Sequence, residues 1–196
     1  GGLALIVMWP ILPPALWSHY WHSLQEILNS SQLCVPAYQT TRSLLCQLLV
    51  FDPTWSQTPL VNLPWLAGTI FIALAGLTFW VMLVLSSHNP TATLLAALAW
   101  GVMVAPLGEQ YHHTVMLIPL SWLVLRWHNL SRYGQIILLV AVIFYILPLP
   151  ANPPLIAKMG GLFLAYLRVY AAWLVWLGLM LQAKATANPA LESKPV

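Results

Sequence analysis

A long stretch without a charged residue, Leu66–Ser86, is the feature that most limits how this chain can fold. About 20 apolar residues in a helix cross the ~30 Å hydrocarbon core of a bilayer, so the stretch predicts a transmembrane helix. Only 7 Lys plus Arg and 4 Asp plus Glu occur among 196 residues, whereas about 25% of a soluble domain is charged. This composition excludes a soluble enzyme, a nucleic-acid binder and a disordered chain. Five further apolar segments are Leu3–Leu16, Thr93–Leu107, Thr114–Trp127, Ile136–Pro148 and Leu162–Gln182. The sequence therefore predicts an all-α, polytopic transmembrane helical bundle with about six crossings.

The apolar segments lie within residues 1–183, which we expect to form one transmembrane domain, and residues 184–196 form a polar C-terminal tail. The chain opens on Gly1 without Met, and no basic region or small-residue cleavage site marks a signal peptide. We therefore expect the C-terminal half of a larger membrane domain. Thr41–Phe51 is typical of a short amphipathic helix at the membrane interface. The two cysteines are too few for a disulfide framework.

The distribution of cations predicts the orientation of the bundle. Arg126 and Arg132 lie in one short loop, and Lys184 and Lys194 lie in the tail. Counting crossings places the loop and the tail on the same side, which the positive-inside rule assigns to the cytoplasm of a multi-pass plasma (inner) membrane protein. The extracytoplasmic side then receives the polar segments Ser23–Trp65, Gly108–His113 and Pro148–Gly161.

An acid and two histidines lie between two of the predicted spans. The segment from Asn89 to Asn129 has room for little more than two spans of about 20 residues, so the apex Glu109–His113 is expected near or below the outer boundary. Ionisable groups at that depth are costly and suggest a functional site. If a helix begins near Gln110, its N-terminus suits an anionic ligand. An interfacial helix cap is the equally supported alternative. A metal site is disfavoured, because the spacing is not that of a zinc motif and no third ligand is evident.

Two runs of residues resemble glycosyltransferase family 87. The run Ala105–Pro119 contains Pro106, His112, His113 and Pro119 in an order that looks like the Pro-…-His-His-…-Pro signature of that family. The run Tyr38–Leu44 resembles the Asn-Gln-Ser-Leu segment that precedes a short amphipathic helix in the family. The resemblance implies a GT-C membrane fold and covers roughly residues 32–180.

The resemblance also implies an activity. Such enzymes move a sugar, a hexose or a pentose, from a polyprenyl-phosphate donor to a glycan or glycolipid acceptor on the extracytoplasmic face. The family is usually inverting and uses no metal or cofactor. A carboxylate activates the weakly nucleophilic acceptor hydroxyl, and in the family it lies in the first external loop, which we expect to be missing from this chain. The expected partners are the lipid donor, the acceptor and the bilayer, and no nucleic acid.

The candidate site residues follow from the expected depth of the Glu109–His113 apex and from the family resemblance. His112 and His113 are candidate catalytic donors to the phosphate, and Glu109 is a candidate orienting or hydroxyl-binding group. The candidate substrate-binding residues are Gln39, Arg42, Lys158 and Arg168. Each has an alternative interpretation: helix capping for Gln39, surface charge for Arg42, a solvated cation for Lys158 and snorkelling for Arg168.

A different class of function remains open from the sequence. The same ionisable groups would serve a proton or anion relay in a non-catalytic polytopic membrane protein, such as a transporter half or an assembly subunit. Inverted repeats would support a transporter, and the sequence contains none that we detect. Asp52, which precedes Pro53, is expected to be a turn residue rather than a catalytic base.

Overall fold

The protein is all-α in a computed structural model that describes residues 13–29, 31–86, 88–105, 108, 110–147 and 161–187. The α-helices are α1 Pro14–Asn29, α2 Thr41–Leu49, α3 Pro64–Leu85, α4 Pro90–Val104, α5 Leu117–Leu125, α6 Arg132–Ile146, α7 Leu162–Ala165 and α8 Leu167–Ala187. Short 3₁₀ turns are formed by Ser31–Cys34, Gln110–Met116 and Trp127–Asn129.

Local sequence signals explain where several helices begin. The side chain of Thr40 accepts a hydrogen bond from the Ser43 amide and caps α2, and Ser131 caps α6 in the same way. Asn89 caps α4 through the Ala92 amide. Proline opens both α3 and α4, a position where its missing N–H costs nothing because that group has no intrahelical partner.

The core lies around α8, which packs along both α4 and α6. Ala92, Ala96 and Ala99 present a stripe of fully buried small side chains on α4. Ala171 and Ala172 are also fully buried on α8. Small residues at these positions let helix backbones approach closely. Larger buried side chains, among them Met103, Trp176 and Leu179, fill the core around these close contacts.

Helix α3 lies at the edge of the bundle. Its mean hydropathy reaches 2.3 over an 18-residue window, of which only 11% is buried. Ile72 is 71% exposed and Trp80 is 61% exposed. A polar contact attaches the helix to α4, because Trp100 Nε1 donates to Thr78 Oγ1 at 3.0 Å. Among the described residues, α3 is the one helix that is both long and apolar enough to cross a membrane, and α4, α6 and the segment His112–Leu125 are shorter apolar helices.

The predicted apolar segments from residue 66 onward are largely helical where the structure describes them, although Thr114–Trp127 begins and ends in 3₁₀ turns and Leu162–Gln182 is interrupted at Tyr166. The helix predicted at Thr41–Phe51 is present as α2, which ends at Leu49. The helix α1 was not predicted, because it joins the end of the expected span Leu3–Leu16 to the start of the expected polar segment Ser23–Trp65. Most of Leu3–Leu16, most of the segment Pro148–Gly161 and the end of the tail lie outside the described residues.

Candidate functional site

Gln39 joins three segments of the chain at one end of the bundle. Its amide donates to the Gly108 carbonyl at 2.8 Å, and its own carbonyl accepts from Nε2 of His113 at 2.9 Å. Its side-chain Nε2 donates to the Pro36 carbonyl at 2.9 Å and to the Ala165 carbonyl at 2.7 Å. Gln39 is only 1% exposed. The two runs that carry the family resemblance therefore contact each other directly.

His113 is buried and uses both ring nitrogens within the protein. Because the Gln39 carbonyl can only accept, Nε2 must carry a proton, and Nδ1 of the neutral ring then accepts from the Tyr145 hydroxyl at 3.2 Å. Burial lowers the pKa of His113, the hydrogen bond to Gln39 opposes this change, and Arg168 and His112 lower the pKa further. The ring is therefore a fixed, neutral link between Gln39 and the outer part of α6 near neutral pH.

Arg168 supplies a cation next to this link. It lies at the second position of α8, directly after the break in the helix at Tyr166. Its charge acts on both His113 and Tyr145, which places the guanidinium within electrostatic range of both side chains. Arg168 is half-buried. A partly desolvated guanidinium suits an anionic group such as a phosphate.

A ladder of polar contacts fixes α2 against the start of the last helical segment. Ser43 Oγ donates to the Val35 carbonyl at 2.8 Å, so the Tyr166 hydroxyl must donate to Ser43 Oγ in their 2.6 Å contact. Trp173 Nε1 donates to Thr41 Oγ1 at 3.1 Å. Ser43 and Tyr166 are almost fully buried. These bonds hold the Gln39 segment in place relative to α8.

Gly108 allows the closest approach at the site. A Cβ atom at this position would lie 2.6 Å from Thr40 Cγ2, closer than two carbon atoms can pack. The side chain of Thr40 is fully buried and caps α2. Glycine at residue 108 is therefore required for the backbone contact with Gln39.

A disulfide joins Cys34 to Cys46, with a Cα–Cα distance of 5.1 Å. The Gln47 side chain donates to the carbonyls of Cys34 and Trp55. Ser56 Oγ donates to the Gln47 carbonyl at 3.0 Å. Together these contacts close the segment that contains Gln39. The sequence did not predict this disulfide, because two cysteines are too few to indicate a disulfide framework.

An apolar groove of about 440 Å³ lies between α5 and α6. Its lining residues come from the whole length of α5 and from the last turns of α6. The lining residues are Leu117, Leu120, Ser121, Val124, Leu125, Val142, Tyr145 and Ile146. Tyr145 is common to the groove and to the hydrogen bond with His113.

The other predicted site residues lie in different surroundings. His112 is exposed, whereas its neighbour His113 is 5% exposed, so the 3₁₀ turn directs the two side chains differently. Arg42 is half-buried and stacks over the Phe71 ring at 5.6 Å. Glu109 and Lys158 lie outside the described residues.

Asp52 is a turn residue, as the sequence indicated. Its Oδ1 accepts from the amides of Thr54 and Trp55, both at 2.8 Å. These bonds lie in an exposed turn away from His113. Within the described ranges, no group of three or more His, Cys, Asp or Glu side chains is arranged to hold a metal ion.

The sequence did not identify Tyr145, Ser43, Tyr166 or Trp173 as site residues. Each acquires its partner from a segment more than 30 residues away along the chain. The position of Tyr145 in the sequence was the one signal that could have indicated it, because Tyr145 lies near the end of the predicted span Ile136–Pro148, on the same predicted side as the Glu109–His113 apex.

Comparison of the chain with protein-family models, curated proteins and solved structures finds no match. The resemblance to glycosyltransferase family 87 therefore rests on the residues 38–44 and 105–119.

Proposed function

We propose that the chain is a multi-pass membrane protein with about six crossings and a GT-C-like arrangement. Exposed apolar side chains on α3 support a bilayer as the surrounding solvent. In water, a 22-residue helix with 11% of its most apolar window buried would expose a large apolar surface. The stripe of small residues on α4 is typical of helix contacts in membranes.

The site is proposed to lie on the extracytoplasmic side of the plasma (inner) membrane. The disulfide between Cys34 and Cys46 supports this orientation, because disulfides persist in oxidising compartments. The short connection between α5 and α6 makes these helices antiparallel neighbours. Arg126 and Arg132 then lie at the opposite end from His113, on the cytoplasmic side.

The proposed activity is transfer of a hexose or pentose from a polyprenyl-phosphate donor to a glycan or glycolipid acceptor. The observation that carries this proposal is the contact between Gln39 and His113. It brings together the two runs that resemble glycosyltransferase family 87, although they are 74 positions apart. A chance likeness in two separate runs gives no reason for them to meet at one buried hydrogen bond.

The surroundings of this contact fit an anionic lipid. Arg168 would bind the phosphate and stabilise the negative charge that grows as the sugar leaves. The apolar groove beside Tyr145 would receive the first part of the hydrocarbon chain. Tyr145 lines the groove and binds His113, so the proposed sites for the polar head and the apolar chain share this residue.

The histidines take different roles in this proposal. His113 is a positioning residue, since both its nitrogens are used within the protein. His112 is the exposed candidate for donating a hydrogen bond to the phosphate. Glu109 is proposed to orient His112 or the acceptor hydroxyl, and Lys158 and Arg42 are secondary candidates for binding substrate.

The test uses membranes from cells that express the complete reading frame, with labelled polyprenyl-phosphate sugars as donors. Transfer of label into a glycan or glycolipid is the expected result. His112→Ala should reduce the rate, whereas His128→Ala, an exposed histidine in the loop after α5, is the matched control and should not. Retention of full activity in the double variant His112→Ala with His113→Ala would contradict the proposed roles.

The same preparation tests the alternative class of function. Reconstituted protein that shows no sugar transfer but carries an anion or protons across proteoliposomes would favour a non-catalytic relay through His113 and Arg168. Transfer without flux would favour the enzyme.

A further inference from the structure

The disulfide encloses the part of the chain that holds His113. Cys34 and Cys46 are 4% and 8% exposed and are the only two cysteines in the sequence. Between them lie Gln39, whose carbonyl binds His113, and Thr40, which caps α2. The bond therefore closes a short loop around the residues that join the two halves of the site.

Two hydrogen bonds next to the disulfide close the same segment. Ser43 Oγ reaches back to the Val35 carbonyl, and the Gln47 side chain reaches back to the Cys34 carbonyl. Both bonds join the start of the loop to α2, parallel to the disulfide. Without the covalent bond, ordering Val35–Thr40 costs more conformational entropy, because the unfolded loop samples more states.

We propose that the Cys34–Cys46 disulfide is a redox-sensitive clamp that keeps the Gln39 segment ordered against His113. Its formation is an exchange in which the two thiols transfer two electrons to a disulfide oxidant. One S–S bond forms in the protein, the oxidant's S–S bond breaks, and the two thiol protons end on the two oxidant sulfurs. A dithiol reductant reverses the exchange. The clamp closes in an oxidising compartment, because disulfides do not persist where thiols are kept reduced.

The inference goes beyond the proposed function and does not need it. The clamp concerns the order of residues 35–43, which hydrogen exchange measures without any substrate. If no sugar transfer is found, the exchange measurement still decides whether the clamp exists. If exchange does not respond to reduction, the transfer assay still decides the proposed activity.

The first experiment determines the state of the cysteines in membranes containing the full chain. Free thiols are alkylated with a maleimide that adds mass, with and without prior dithiothreitol. We expect two labels after reduction and none before it. Complete labelling without reductant would overturn the proposal.

The second experiment measures backbone hydrogen exchange by mass spectrometry in detergent. Reduction should accelerate exchange in residues 35–43 on the order of tenfold to a hundredfold, the range expected when a disulfide that closes a loop of this size is lost. Exchange in α6 should stay unchanged, because α6 is held by its contact with α8. Unchanged exchange in residues 35–43 would overturn the proposal.

The variant with Cys34→Ala and Cys46→Ala is the control for reagent effects. It should show the fast exchange of the reduced protein in both conditions, with no response to dithiothreitol. A response of the same size in this variant would show that the reductant acts elsewhere, and would also overturn the proposal. If the double variant fails to fold, the reduction of wild-type protein still decides the outcome.

Discussion

Replacing Gly108 by alanine tests the geometry of the site at a single atom. The added Cβ would lie 2.6 Å from Thr40 Cγ2. Threonine is branched at Cβ, so its methyl group moves away only if χ1 rotates. That rotation would also remove Oγ1 from the Ser43 amide, 3.2 Å away, and uncap α2. The clash therefore has no inexpensive relief.

The size of the effect depends on how the structure relieves this clash. Overpacking by one methyl group in a tight site costs about 1–3 kcal/mol. Loss of the Thr40 cap, where the structure relaxes by rotating χ1, costs about 1 kcal/mol. These are alternative ways of relieving one clash, so we expect a total of about 1–3 kcal/mol. For a chain of this size, that corresponds to a decrease in Tm of about 2–12 °C.

The assay is thermal unfolding of the full chain in detergent, followed by tryptophan fluorescence. Gly76→Ala is the matched control, because a Cβ there meets nothing within 4 Å and alanine favours the middle of α3. The double variant of Gly108→Ala with Thr40→Ser should recover most of the loss, since serine keeps the capping oxygen and lacks the methyl group. Equal Tm values for Gly108→Ala and Gly76→Ala would refute the reasoning.

Three further predictions concern the same region. Burial lowers the pKa of His113 in the folded state, so the neutral ring stabilises the fold fully above the ordinary pKa of about 6.5, and this stabilisation is lost as the pH falls through the lower folded pKa. Tm should therefore fall less between about pH 7.5 and pH 5 in His113→Gln than in wild type, and an equal fall in the two proteins would contradict this. Thr41→Val leaves Trp173 Nε1 without its acceptor and should cost about 1–3 kcal/mol in detergent unfolding, whereas Thr41→Ser should restore wild-type stability. Tyr166→Phe removes one buried hydroxyl but leaves Ser43 bound to its carbonyl, so a smaller loss of about 1 kcal/mol is expected, and no loss would argue against the bond.

The helices were predictable because their signals are local. The uncharged run Leu66–Ser86 predicted α3, and Thr41–Phe51 predicted α2. Asparagine at residue 89 and proline at residue 90 mark the start of α4 by capping chemistry that acts within one turn. The helix α1 was missed because it crosses from the apolar segment Leu3–Leu16 into the polar segment Ser23–Trp65, so no single hydropathy pattern covers it.

The candidate site was predictable only in part. The sequence singled out Gln39, His113 and Arg168 separately, and the fold brings them to one place. The role of His113 was less predictable, since both of its nitrogens are occupied by partners that only tertiary structure supplies. The pairing of Cys34 with Cys46 was also missed, because it depends on how the 3₁₀ turn packs against α2 rather than on the number of cysteines.

The proposed function requires that Arg168 binds the phosphate of a lipid-linked sugar. The most direct measurement is the initial rate of labelled sugar transfer from polyprenyl-phosphate sugar by membranes that contain the complete protein. Arg168→Gln should lower the rate by roughly 10²–10³, the range found when a group that stabilises developing negative charge is removed. Arg126→Gln, whose guanidinium stacks on Trp122 at 4.1 Å in the loop region after α5, should leave the rate unchanged. Equal rates for Arg168→Gln and Arg126→Gln would contradict the account.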